Sequence, residues 1–407
     1  MSCFKQVRFG TLFEICRDKF YPSNEGQVPY IGLEHIEQGT LSLRGTGVST
    51  NTSSKKYKFE QGDILFGKLR PSFRKLIKIK FKGVCSTDIS VLRVNDGVDP
   101  SFLFYLLATP EFIGYATKSS TGTKMPRADW NFLRNLYTIL PPISTQQKIG
   151  SILQTMDNKI ESNLRMNDLL EAIIQTYYEW LFVDYKPFKD PSHELNTNFK
   201  FDVELNKFIP NVMQVVELKE IGKIITGITP SNKFRDDDSV IPFIKIQDMQ
   251  NLFVISTESK ITKEGMQNQS HRIVPPNSIC VSCVGTPGLV SLTTQYSLTN
   301  QQINTIIPYN IHDGYYILFK IKSMKNKLIN LASGGTTTLN LNKTDFSKIK
   351  IELPPEQILY MFNNKVNSFM HQILSNTREI LILQKLRDKL ISQLFSIDVY
   401  VKFTDLE

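Results

Sequence analysis

Gly62-Asp63-Ile64-Leu65-Phe66-Gly67-Lys68-Leu69 comes nearest to a phosphate-binding loop. It has the Gly-x4-Gly-Lys spacing, but Leu69 stands where a Mg²⁺-binding hydroxyl is needed. The apolar Ile64-Leu65-Phe66 reads as a buried strand instead. Cys280-x-x-Cys283 is a lone pair inside a hydrophobic run, with neither a second pair nor a nearby histidine. A tetrahedral metal site needs four ligands, so two buried strand cysteines are expected. The Pro-Pro pairs Pro141-Pro142, Pro275-Pro276 and Pro354-Pro355 lack the Asp/Asn before and the aromatic after that an amino-methyltransferase loop requires. His35, His193, His271, His312 and His371 are scattered, and no nucleophile motif accompanies them. No catalytic residue and no metal ligand is assigned.

The positive signal is charge. Residues 55–82 hold ten basic side chains, interleaved with Phe59, Phe66 and Phe73 and opposed only by Glu60 and Asp63. Such a patch suits phosphates, and arginine can read guanine with two hydrogen bonds. Lys68, Arg70, Arg74 and Lys75 are the expected DNA contacts. Lys78, Lys80 and Lys82 alternate with Ile77, Ile79 and Phe81, as on the outer face of an amphipathic strand. A second loop, Ser119–Arg127, adds Lys124 and Arg127; its small and hydroxylated residues let backbone amides approach phosphates. In the second half of the chain the region matching the basic loop, Ser282–Gly288, is neutral. The expected readers there are Gln301, Gln302 and Asn304, whose amides can pair with adenine. Thr336, Thr337 and Asn340 on the loop after Ser333, together with Lys245, complete the candidate contacts.

These residues are positioned by a duplicated framework. Val28-Pro29-Tyr30-Ile31 recurs as Ile241-Pro242-Phe243-Ile244, Leu140-Pro141-Pro142 as Leu353-Pro354-Pro355, and Leu181-Phe182 as Leu394-Phe395, each at an offset of 213. Short β-like runs punctuated by Gly, Pro, Asn and Ser fill the first part of each module. A long proline-free helical pattern follows. The boundaries are a first β-rich domain over 1–143, a helix over 144–182, a polar linker with one short strand over 183–212, a second β-rich domain over 213–355, and a helix with a tail over 356–407. Ile149, Leu153, Met156, Ile160, Asn163, Asn167, Leu170, Ile174, Tyr177 and Leu181 recur in alternating steps of four and three, a heptad seam. Adding 213 gives Phe362, Val366, Phe369, Ile373, Asn376, Ile380, Leu383, Arg387, Leu390 and Leu394, with Arg387 the charged exception. An antiparallel pairing places Tyr177 opposite Phe362 and Asn163 opposite Asn376. The fold class is α+β.

Composition agrees with this framework. The 407 residues are 41% hydrophobic, enough for two or three packed domains, and the net charge of +9 favours a polyanionic partner. Five cysteines without framework spacing, no apolar leader and no membrane-length apolar run point to a soluble cytoplasmic protein.

Two β-rich domains alternating with two long helices resemble the layout of Type I restriction-modification specificity (S) subunits. Gly62-Asp63-Ile64-Leu65 with Arg70-Pro71 resembles that family's Gly-Asp-Ile-Leu…Arg-Pro segment. Leu140-Pro141-Pro142 with Gln146-Gln147 and Ile149 is similar to its entry into the helix, and Trp180-Leu181-Phe182-Val183-Asp184-Tyr185-Lys186-Pro187 to its central ending. The second module departs from the pattern, since Glu356-Gln357 follows Pro355 directly and the basic loop is absent. The resemblance implies two target recognition domains, and helices that pair as an antiparallel coiled coil. It implies a complex with two methyltransferase (M) subunits, joined by restriction (R) subunits, on double-stranded DNA. S-adenosylmethionine would sit on the M subunits, this chain binding no cofactor and carrying no catalysis. The expected target is bipartite and asymmetric, its halves about one DNA turn apart (~34–36 Å). The alternatives are the specificity chain of a Type II-like restriction-modification enzyme, a stand-alone nucleic-acid enzyme such as a DNA methyltransferase, and a structural coiled-coil adaptor.

Overall fold

The computed structural model describes residues 4–22, 26–51, 54–122, 124–234, 239–333 and 339–395. The chain forms two compact units, Met1–Asn163 with Glu379–Glu407, and Leu164–Arg378. Each unit therefore takes one β-rich domain and half of each long helix.

In the first unit a four-stranded antiparallel sheet orders Phe13–Cys16, Ile89–Val94, Ile64–Gly67 and Leu76–Lys78. Ile64, Leu65 and Phe66 are all buried, so the Gly62–Lys68 stretch is a core strand, not a phosphate loop. A five-stranded sheet orders Lys19–Phe20, Lys56–Phe59, Gly83–Cys85, Pro29–Ile31 and Gly47–Val48. Lys5–Arg8 pairs with Tyr137–Leu140, closing the domain where its chain enters and leaves. Helices Pro100–Leu107 and Pro110–Lys118 each begin with a proline after a capping side chain, Asp99 and Thr109 respectively.

The second unit repeats the plan. Gln214–Glu217 pairs with Lys350–Leu353, and the register Gln214↔Leu353 matches Lys5↔Leu140. Its five-stranded sheet orders Gly222–Thr226, Ile303–Pro308, Ile279–Ser282, Val290–Thr293 and Phe253–Val254. Cys280 and Cys283 are buried there, and burial pushes their thiols up to about 12 and about 11. The stretch between modules holds a hairpin, Phe199–Asp202 with Lys207–Pro210, where a single strand is expected. Asp202 nucleates its turn by accepting from the amides of Glu204 and Leu205, and Asn206 supplies the left-handed residue.

The long helices run Ile143–Phe182 and Glu356–Leu394, close to the sequence boundaries. Every seam position is buried or half-buried. Within the second unit Tyr177 stacks on Phe362, ring centroids 5.7 Å apart and planes 13° from parallel, as expected of an antiparallel pair. The asparagines meet flanking residues. Asn163 donates to Glu379 at 2.8 Å in the first unit, and Asn376 to Asn167 at 2.9 Å in the second. A knob enters a hole formed by several residues of the facing helix, so its polar partner is a neighbour of the position directly opposite.

Arg387 has a different fate from a tolerated seam exception. It is fully buried, donating to Asp157 at 2.7 Å, to the Thr40 carbonyl at 2.8 Å and to Asp388 at 3.1 Å. Tyr105 donates to the other Asp157 oxygen at 2.6 Å. In the second unit Glu352 is the corresponding charge centre, 3% exposed and held by Lys207, Lys320 and the Tyr185 hydroxyl. Burial alone would raise its pKa; the two ammonium groups outweigh burial and bring it to about 2.

Candidate nucleic-acid interface

The basic loop begins where the Ile64–Gly67 strand ends. Lys68 continues the ladder, its amide donating to the Asp88 carbonyl at 3.0 Å. Arg70 then adopts a left-handed conformation, φ 49°, ahead of the short 3-10 turn Pro71–Phe73. That conformation is unfavourable for a residue with a Cβ. It lets the Arg70 amide reach the Pro126 carbonyl at 2.8 Å, while the Ala128 amide reaches the Lys68 carbonyl at 2.9 Å. The two loops singled out from sequence are thus stitched side by side through backbone alone.

Of the expected first-module contacts, Lys68, Arg70 and Arg127 come together, and Lys124 is exposed on the second loop. Arg70 lies over the Phe73 ring, 5.7 Å from its centroid. Arg127 holds Asp88 through Nε at 3.0 Å. Lys68 is half-buried; burial lowers its pKa and the nearby Asp88 opposes that shift. Beside it is a cavity of about 280 Å³ lined in part by Arg17, Tyr57, Ser90 and Trp130.

Arg74 and Lys75 are diverted. Arg74 makes a two-pronged pair with Asp388 at 3.1 and 3.2 Å, and Lys75 Nζ donates to the Leu33 carbonyl at 2.6 Å. Both are spent on holding the loop to its surroundings. Lys78 donates to Ser101 at 2.6 Å and to Gln154, and Lys80 pairs with Glu161, so this strand face is fastened to its own unit's helix.

The second module has the same stitching. The Cys283 amide donates to the Gln302 carbonyl at 2.8 Å, the Gly285 amide to the Leu339 carbonyl at 3.0 Å, and the Leu341 amide to the Cys283 carbonyl at 2.9 Å. Gly285, at φ 76°, occupies the place of Arg70 without the cost of a side chain. Gln302 and Asn340 meet here. Gln301 is exposed and accepts from Thr229 at 2.8 Å. Asn304 is not a reader: it is 2% exposed, accepts from Thr226 at 2.6 Å and faces the interior of its sheet. Lys245 donates to Ser259 at 2.6 Å. Thr336 and Thr337 lie outside the described residues.

Sequence reasoning did not single out Arg17, which lines the cavity beside Lys68, or Asp88, which accepts from Lys68 and Arg127. An acidic residue attracts no notice in a search for cationic patches. The 213 offset pairs Asp88 with Gln301, one residue from the Gln302 to which the hydrogen bonds match it.

The model of the Type I restriction modification DNA specificity domain matches residues 1–172 and 210–397. The chain is 33% identical to the Type I restriction enzyme HindI specificity subunit of Haemophilus influenzae, over 97% of this chain and 99% of that one. It is 26% identical to the MjaIX specificity subunit of Methanocaldococcus jannaschii, over 74% of this chain and 69% of that one. The crystal structure of a Type I restriction-modification S subunit from M. genitalium shares the fold, with a TM-score of 0.57 at 14% identity, covering 100% of this chain and 97% of that one. Two stitched loop pairs, two long helices and these matches lead to one assignment: the chain belongs to the Type I restriction-modification DNA specificity family.

Proposed function

We propose that this chain reads a bipartite, asymmetric target in double-stranded DNA and directs methylation and restriction performed by partner subunits. One observation carries the proposal. Both modules present the same backbone-stitched pair of loops, while the side chains on it differ, basic in the first and amide-bearing in the second. Equal scaffolds with unequal side chains suit two half-sites of unequal sequence.

Catalysis and S-adenosylmethionine belong, in this proposal, to two M subunits, with R subunits completing the complex; the chain itself binds no cofactor. Exposed apolar residues at helical spacing, Met166, Leu169 and Ile173, support docking of partner chains on the long helix. A cytoplasmic setting fits the free thiols of Cys16, Cys85, Cys280 and Cys283, and no helix among the described residues is long and apolar enough to cross a membrane.

Exchange of residues 1–140 for those of a relative tests the proposal. Methylation-sensitive sequencing of a host carrying the assembled complex should show one half of the target changed, with the other half and the spacing kept. A changed second half would refute the two-reader assignment.

A further inference from the structure

The stitching fixes which positions of the two modules are equivalent. Lys68 matches Cys283 and Arg70 matches Gly285 by their amide and carbonyl partners; Asp88 matches Gln302, and Arg127 matches Asn340. The last equivalence rests also on the isolated bridges Leu69↔Arg127 and Val284↔Asn340.

Chemistry at these places is specific. Asp88 takes only Nε of Arg127, leaving both Nη groups without a hydrogen-bond partner among the described residues. The guanidinium is exposed, and its free edge is the two-donor fork that fits O6 and N7 of guanine. Asn340 is exposed and presents one donor and one acceptor, the pattern that fits N7 and N6 of adenine. Gln302 beside it has its Oε1 occupied by Asn300 at 3.0 Å, which leaves Nε2 as a donor.

We infer that Arg127 and Asn340 are equivalent base-reading residues of the two modules, Arg127 reading guanine in one half-site and Asn340 adenine in the other. Asp88 is the positioning residue that aims the Arg127 fork. This rests on the proposed DNA-reading function and assigns its specificity to one matched pair of positions.

The experiment uses the full chain assembled with its methyltransferase partners in the host, read by methylation-sensitive sequencing and by binding to duplexes substituted one base pair at a time. Arg127→Ala should relax one G·C position of a single half-site, with roughly tenfold to hundredfold loss of discrimination there, and leave the other half-site intact. Arg127→Lys keeps the charge without the fork and should lower discrimination at the same position; an affinity loss in Arg127→Ala that is uniform across all base substitutions and is restored by lysine would show a phosphate contact and overturn the assignment. Asp88→Asn should weaken discrimination at that same position, and an unchanged preference would remove its positioning role. Asn340→Ala should relax one A·T position in the opposite half-site. Arg127→Ala and Asn340→Ala acting on the same half-site, or leaving the target unchanged, would sink the inference. A wild-type complex that methylates no bipartite target would instead refute the underlying function. Arg127 and Asn340 are exposed and the Asp88 side chain is 32% exposed, and thermal unfolding of each variant reports any loss of folding separately.

Discussion

Replacement of Arg387 by methionine should destabilise the first unit by about 3–5 kcal/mol, far more than an exposed helical arginine would contribute. The magnitude follows from its surroundings. Arg387 has no solvent exposure, and its loss leaves Asp157, 17% exposed, with only the Tyr105 hydroxyl at 2.6 Å among the described residues. The Thr40 carbonyl loses its nearer donor and keeps only the longer bond from the Ser42 hydroxyl, 3.4 Å, among the described residues. An exposed ion pair would cost at most about 1 kcal/mol, so the size of the effect distinguishes the two situations. Adding Asp157→Asn removes the orphaned charge. The double variant should therefore recover about 2 kcal/mol relative to the sum of the single changes. The chain's two tryptophans divide between the units, Trp130 in the first and Trp180 in the second. In a Trp180→Phe background, urea unfolding followed by Trp130 fluorescence thus reports the first unit. A single variant within about 1 kcal/mol of the parent, or additive losses in the double, would refute the argument that the seam carries a structural charge cluster.

Glu352 carries the corresponding prediction for the second unit. A carboxyl brought from its ordinary 4.5 to about 2 by Lys320 and Lys207 contributes about 3 kcal/mol, present above pH ~4.5 and lost as pH falls through about 2. Glu352→Gln should lower stability at pH 7 by about that amount and flatten the acid limb of the profile followed through Trp180; a parallel acid limb would contradict it. Arg70→Ala and Lys124→Ala should each reduce the log–log salt slope of DNA binding by about 0.9. Arg74→Ala should lower the thermal stability of the first unit while leaving that slope unchanged, because its charge is committed to Asp388; a slope change without a stability change would return Arg74 to the DNA contacts.

What could be read from the sequence was what repeats locally. The 213 offset and the alternating four-three spacing located both helices within a residue or so of Ile143–Phe182 and Glu356–Leu394, and the apolar run around Cys280 announced a buried strand. Partners distant in the chain could not be read. Arg74 looks like any loop arginine until Asp388, 314 residues away, takes its guanidinium. Asn304 carries the residue type of an adenine reader, and only the register of Gly222–Thr226 against Ile303–Pro308 sets it opposite Thr226 in the sheet interior. The hairpin between modules was obscured because its turn depends on Asp202 and Asn206 in a polar stretch that also suits an irregular linker.

The way the loops are fastened bears on how such a reader changes its target. A side chain that holds structure cannot be replaced without leaving a buried partner orphaned, as at Arg387 and Glu352. The loop pairs avoid that constraint, because the bonds common to both modules run between backbone amides and carbonyls and survive whatever side chains are present. Arg127 and Asn340 occupy one such position, and Asp88 and Gln302 another, without altering the stitching. Substitution there alters which hydrogen-bond donors and acceptors face outward while costing little folding energy. The residues anchoring the loops to the rest of the unit, Arg74 and Lys75 in the first module, do so through side chains and sit beside the readers, not among them. Specificity and stability are thereby carried by different atoms of the same few residues, which lets two copies of one scaffold diverge into readers of different sequences.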